Sequence, residues 1–130
     1  MAAEPVWIAL EALLALHDLT IALHGGAGGL RDAGLLESAL TRPISRFQYE
    51  GVDDLPMLAA IYAHAISSNH PFADGNKRAA FQALTLFLRL NGLRLTASQV
   101  DAAKTVLALA AGNLAAGELA DWVRANCRSA

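Results

Sequence analysis

The chain has 130 residues and a net charge of −2, which suits one domain, residues 1–130, without the basic field that would recruit nucleic acid. Its 55% hydrophobic content comes mostly from Ala and Leu, which favours helices; no apolar run is long enough for a bilayer, and no secretory leader is visible. The lone cysteine, Cys127, cannot form an internal disulfide, so the expectation is a cytoplasmic protein with no membrane partner.

Residues 5–23 read as a first helix with Pro5 in its opening turn, and Trp7, Leu10, Leu14, His17 and Ile21 form its apolar stripe. On that stripe His17 reads as a buried histidine bonded to nearby backbone rather than as a ligand. Gly25-Gly26-Ala27-Gly28-Gly29 ends the helix. No strand precedes these glycines and the spacing of a phosphate-binding loop is absent, so they read as a conformationally demanding linker. His24 and Arg31 flank it and read as structural or solvated. A short helix over 33–41 follows an N-cap at Asp32 and stops before Pro43. Residues 43–53 are the least helical part of the chain, and Arg46-Phe47-Gln48-Tyr49 alternates as a short exposed strand does.

Asp53 or Asp54 caps a third helix over 55–69, with Leu58, Ile61, Tyr62, Ala65 and Ile66 on its core face and His64 as a polar surface residue. A fourth helix over 76–91 is apolar nearly all round, which places it in the middle of a bundle; Asn91-Gly92 ends it. Thr96-Ala-Ser-Gln99 is a capping box for a fifth helix over 97–111, and a sixth covers 117–127.

Everything polar and unusual is concentrated between the third and fourth helices, in Asn69-His-Pro-Phe-Ala-Asp-Gly-Asn-Lys-Arg78. Pro71 and Gly75 break the helical pattern, and Asp74 or Asn76 suits the start of the next helix. A helix start carrying Lys77 and Arg78 offers free backbone N–H groups, the positive end of the macrodipole and two cations, a combination that suits a phosphate. His70 can act as a general base and Asp74 as a hard oxygen ligand for a divalent cation. Asn76 can orient an oxygen, while Phe72 anchors the loop and Asn69 caps the preceding helix. On the residues alone the loop is equally an ordinary capped turn with solvated charges.

The nine residues His70–Arg78 resemble the signature of the Fic/Doc superfamily, H-x-F-x-D/E-G/A-N-G/K-R. His17-Asp18, the segment 24–32 and the segment 87–92 also fall where death-on-curing (Doc) toxins carry similar residues, so the resemblance runs from about residue 10 to 125 and marks Arg31-Asp32 as a candidate fold-locking pair. It implies an all-α fold, a compact bundle of about six helices with the motif loop between the third and fourth. It further implies His70 as the catalytic base, Asp74 as the Mg²⁺ ligand, and Gly75, Asn76, Lys77 and Arg78 as binders of ATP. AMP-transferring relatives usually carry Gly where this chain has Lys77, and a second Arg where it has Phe81. The resemblance therefore implies a protein kinase passing the γ-phosphate of ATP to a threonine of elongation factor Tu, arresting translation.

Such toxins are held by a Phd-like antitoxin with an amphipathic helical tail. The Ser/Thr-x-x-x-Glu pattern of a built-in inhibitory helix is absent here, so control is expected from another chain. A groove walled by the first helix and 43–53, with Trp7, Phe47 or Tyr49 as anchors, is the expected docking place. In Fic proteins a strand-like flap occupies the position of 43–53, and that segment reads equally as target-docking element or plain surface connection. Two alternatives stand beside the kinase: AMP transfer to a protein hydroxyl, and a partner-binding module without chemistry.

Overall fold

The computed structural model describes residues 3–130. Six helices and two short strands follow in the order α1 (Leu10–His24), α2 (Ala33–Glu50), α3 (Leu55–Asn69), α4 (Asn76–Leu90), β1 (Leu93–Leu95), α5 (Gln99–Ala110), α6 (Ala116–Ala125) and β2 (Cys127–Ser129). The expected all-α bundle is therefore present, with one small addition. β1 and β2 pair antiparallel, Arg94 opposite Arg128, and tie the end of α4 to the chain's last residues. Three-residue strands are too short for an alternating pattern to register in the sequence.

The centre of the bundle is α3. Leu58 to Ala63, Ala65 and Ile66 are all buried, and α3 packs against α2, α4 and α6. Its many alanines let neighbouring helices approach closely. Burial all round was expected of α4 instead, but α4 keeps a wetted side carrying Lys77, Arg78, Gln82 and Arg89. Its apolar residues Ala79, Ala80, Ala83, Leu84, Phe87 and Leu88 face inward.

The first helix starts five residues later than its sequence suggests, at Leu10. Residues 3–9 form neither helix nor strand, because other groups claim their backbone. Asn91 both accepts from the Val6 N–H (2.8 Å) and donates to the Val6 carbonyl (3.0 Å). The Ile8 N–H donates to the Tyr62 hydroxyl (3.2 Å). Trp7 is wedged between Phe47, edge-on at 5.6 Å, and Phe87, stacked at 5.9 Å.

The stop at Pro43 and the extended segment 43–53 are corrected by the structure. The second helix runs through Pro43 to Glu50. An interior proline costs a helix about 3 kcal/mol, and packing on either side of it offsets that cost. Pro43 is itself buried, Phe47 packs on Trp7, and Gly51 closes the helix at φ 69° with its N–H on the Arg46 and Phe47 carbonyls. The alternation in 46–49 is thus the turn of a helix. No flap-like strand exists in this stretch.

Candidate active site

The motif loop is a tight link from the C-terminus of α3 to the N-terminus of α4, and backbone geometry sets it up. His70 caps α3 in the left-handed conformation, φ 53°, and is the one non-glycine residue of positive φ among the described residues. Gly75 caps the start of α4 at φ 75°, where a side chain would be strained. Between them Pro71 and Phe72 are buried, while His70, Ala73 and Asp74 are exposed. Phe72 anchors the loop by stacking on His17, ring centroids 3.8 Å apart.

His17 plays the structural part its position on the stripe suggested. It is 1% exposed, and its Nε2–H donates to the Asp74 carbonyl at 2.7 Å. One buried imidazole thus supports the loop through both a ring face and a hydrogen bond.

Asn76 is buried in the loop's interior. Its Oδ1 accepts from the Phe72 N–H, and its Nδ2 reaches both the Phe72 carbonyl and His70 Nδ1, each contact being 3.0 Å. The side chain expected to orient a substrate oxygen is therefore engaged with the loop itself. Asp74 Oδ1 accepts from the Gly75 N–H at 2.8 Å, and Oδ2 lies 3.4 Å from the Ala27 nitrogen.

The start of α4 is open. The first helical bond joins the Ala79 N–H to the Gly75 carbonyl, and no side chain caps the helix. The N–H groups of Asn76, Lys77 and Arg78 find no acceptor among the described residues. Lys77 and Arg78 are exposed, and neither makes an ion pair with a described carboxylate. Three unclaimed N–H donors, a helix dipole and two unpaired cations, the features that suit an anion, stand beside an exposed imidazole and an exposed carboxylate.

Residues upstream of the motif hold this site in place. The glycine-rich linker lies along the motif loop, bridging Leu30 to Phe72, with the Ala73 N–H on the Gly29 carbonyl and the Arg31 and Asp32 N–H groups on the Pro71 carbonyl. Arg31 also clamps the end of α3, donating from Nε to the His70 carbonyl and from Nη2 to the Asn69 carbonyl, both at 2.8 Å. Asn69 itself donates to the Leu35 carbonyl at 2.9 Å, tying α3 to α2 rather than capping its own helix. A Cβ on Gly26 would come within 2.7 Å of Asp74 Oδ2, so the linker's glycine is there for close approach.

From the start of α4 an open groove of about 880 Å³ runs along its wetted side. Lys77 and Arg78 stand at one end and Arg89 and Arg94 towards the other; Phe81 and Val106 are among its apolar lining, and no lining residue is acidic. It lies between α1, α4, β1 and α5, away from Trp7, Phe47 and the expected groove beside α2. Of the aromatic anchors expected there, Trp7 packs on Phe47 and Phe87, while Tyr49 stands exposed.

Residues 7–88 match the model of the Fic/DOC family. The chain is 39% identical over 117 residues to "Protein kinase doc" of Escherichia phage P1, covering 90% of this chain and 92% of that protein. It is 40% identical over 87 residues to "Toxin Doc" of Mycolicibacterium smegmatis, covering 64% of this chain and 65% of that one. With its motif loop, helical bundle and near full-length similarity, the chain belongs to the Fic/Doc family as a Doc-type member.

Proposed function

We propose that this protein is the toxin of a toxin–antitoxin pair and acts as a protein kinase. It passes the γ-phosphate of ATP to a hydroxyl of a translation factor, elongation factor Tu, and so arrests translation. The observation that carries the chemistry is the open start of α4, where three unclaimed N–H groups and the unpaired Lys77 and Arg78 stand next to exposed His70. The printed names of the relatives, one a kinase and one a toxin, support the class.

Phosphoryl transfer needs positioning and charge neutralisation more than covalent chemistry. The backbone donors of α4, with Lys77 and Arg78, hold the phosphates and neutralise charge on the transferred group. His70 receives the proton of the target hydroxyl. Asp74 suits Mg²⁺, which is held through one or two carboxylates together with substrate phosphates. Its carboxylate is exposed and accepts only one short bond, and no cluster of three metal-binding side chains exists among the described residues. The bound ion would supply charge to the phosphate oxygens.

Lys77 supports γ-phosphate transfer over AMP transfer. A long cation, exposed at the second helical position, stands where the AMP-transferring pattern leaves room with glycine, and Phe81 replaces the second arginine and lines the groove. The lining of the groove supports it as the antitoxin's docking place. Arg78 and Arg89 are eleven residues apart on α4, about 16 Å, so a helix with acidic residues at matching spacing would meet a cation at each end over an apolar floor.

ATP labelled at the α or γ position, incubated with elongation factor Tu, separates the readings. Label from γ alone supports the kinase, label from α supports nucleotidyl transfer, and no label with intact nucleotide binding supports a module without chemistry.

A further inference from the structure

We infer that Asn76 keeps His70, in the resting protein, in the tautomer that cannot take up a proton at its free nitrogen, and that a phosphate bound at the start of α4 releases it. The releasing step rests on His70 being the base; the resting tautomer does not.

The orientation of the Asn76 amide is unambiguous. Its Oδ1 lies 3.0 Å from the Phe72 nitrogen, an obligate donor, and its Nδ2 lies 3.0 Å from the Phe72 carbonyl, an obligate acceptor. Turning the amide over would set donor against donor and acceptor against acceptor. The second Nδ2 hydrogen is then left for His70 Nδ1, also 3.0 Å away. That nitrogen must present a lone pair. A neutral imidazole carries one proton, so the proton sits on Nε2, and a doubly protonated ring could not accept from Asn76 at all. Asn76 is 5% exposed and held by one residue's backbone at both ends of its amide, so the contact is a built one.

The consequence conflicts with a base that is always ready. The nitrogen free of Asn76 is a donor, and a target hydroxyl meeting it finds no lone pair. Proton uptake at Nε2 needs the ring proton moved to Nδ1, and the Asn76 bond blocks that site.

The neighbouring anion site supplies the release. The backbone N–H of Asn76 is one of its three unclaimed donors. The side chain of a first helical residue also leans towards the helix N-terminus. A charged phosphate oxygen is a stronger acceptor than a neutral imidazole. Seated phosphate draws the Asn76 amide out of its Phe72 bonds, so that the Nδ2 hydrogen passes from His70 Nδ1 to phosphate; Nε2 then gives its proton to water and Nδ1 takes one from water. No proton is gained or lost, and exposed His70 has water at hand. Asn76 is thus a positioning residue that arms the base only when phosphate is seated.

The test is a long-range ¹H–¹⁵N correlation spectrum of the full chain with ¹⁵N-labelled histidine, at a pH where the rings are neutral. His70 is assigned by the signals lost in His70→Ala. The ligand-free protein should show an unprotonated-type Nδ1 and a protonated-type Nε2. Saturation with Mg²⁺ and a non-hydrolysable ATP analogue, or with inorganic pyrophosphate, should interchange them. A proton on Nδ1, or a mixture, in the ligand-free protein overturns the role given to Asn76. A pattern unchanged by both anions overturns the release. Asn76→Ala should show the mixture of free histidine; if that variant does not fold, the wild-type spectra decide alone. Failure of the wild type to transfer phosphate would remove the base reading but leave the tautomer seen in the ligand-free spectrum standing.

Discussion

Arg31, which the resemblance marks with Asp32 as a fold-locking pair, has partners that the sequence does not name. Its partners are the backbone carbonyls of Asn69 and His70, 38 and 39 residues away, and carbonyls belong to every residue type. The motif residues stand out in the sequence through the resemblance they carry; a clamp on main-chain atoms leaves no such mark. Arg31→Ala leaves two exposed carbonyls to water, so stability should fall by only about 0.5–1.5 kcal/mol. Phosphate transfer should fall about 10- to 100-fold, because the left-handed turn at His70 loses its hold. The KM for ATP should stay near that of the wild type, since the start of α4 is untouched. A kcat that tracks only the loss of stability would mean that Arg31 is a strut and nothing more. Asp74→Asn tests the metal ligand at the same scale. Asn keeps an Oδ1 for the Gly75 N–H, so folding should hold, while Mg²⁺-dependent nucleotide binding measured by calorimetry should weaken. Unchanged Mg²⁺ dependence would contradict the assignment.

At the scale of elements, types and order were legible for all six helices, and the errors sit where tertiary contacts overrode local signals. Pro43 reads as a stop, yet Phe47 on Trp7 and the Gly51 cap carry α2 past it. Pro5 reads as a start, yet Asn91 and Tyr62 hold the backbone of Val6 and Ile8 outside the helix. The same Tyr62 yields a prediction. Burial in α3 pushes its phenol up to about 12, opposed in part by the Ile8 N–H. The unfolded phenol ionises near ~10. Its contribution is therefore whole below pH ~10 and is lost as the pH rises towards about 12, by at most roughly 2–3 kcal/mol. Denaturant unfolding at stepped pH should show that fall, and Tyr62→Phe should flatten it. An equal fall in both proteins would assign it to other groups.

Across the whole molecule, a net charge of −2 conceals a local concentration. Lys77, Arg78, Arg89 and Arg94 line one groove without an acidic neighbour among its lining residues. A sequence count averages that away, because Arg94, on β1, comes beside the α4 cations only in the folded chain. If the antitoxin's acidic helix lies there, Arg89→Glu with Arg94→Glu should weaken its binding at least about tenfold, and more at low salt. ATP labelling chemistry at the motif loop should persist. Antitoxin affinity that ignores both changes, measured by titration calorimetry, would place the docking surface elsewhere.

The central claim is that the motif loop phosphorylates elongation factor Tu and that this stops translation, and a reconstituted translation reaction tests it most directly. With Mg²⁺-ATP the chain should halt amino-acid incorporation while elongation factor Tu gains phosphate from the γ position. His70→Ala should do neither, losing roughly 10²–10⁴-fold in rate, and fresh elongation factor Tu added with the antitoxin should restore incorporation. Arrest with unmodified elongation factor Tu, or modification without arrest, would contradict the account.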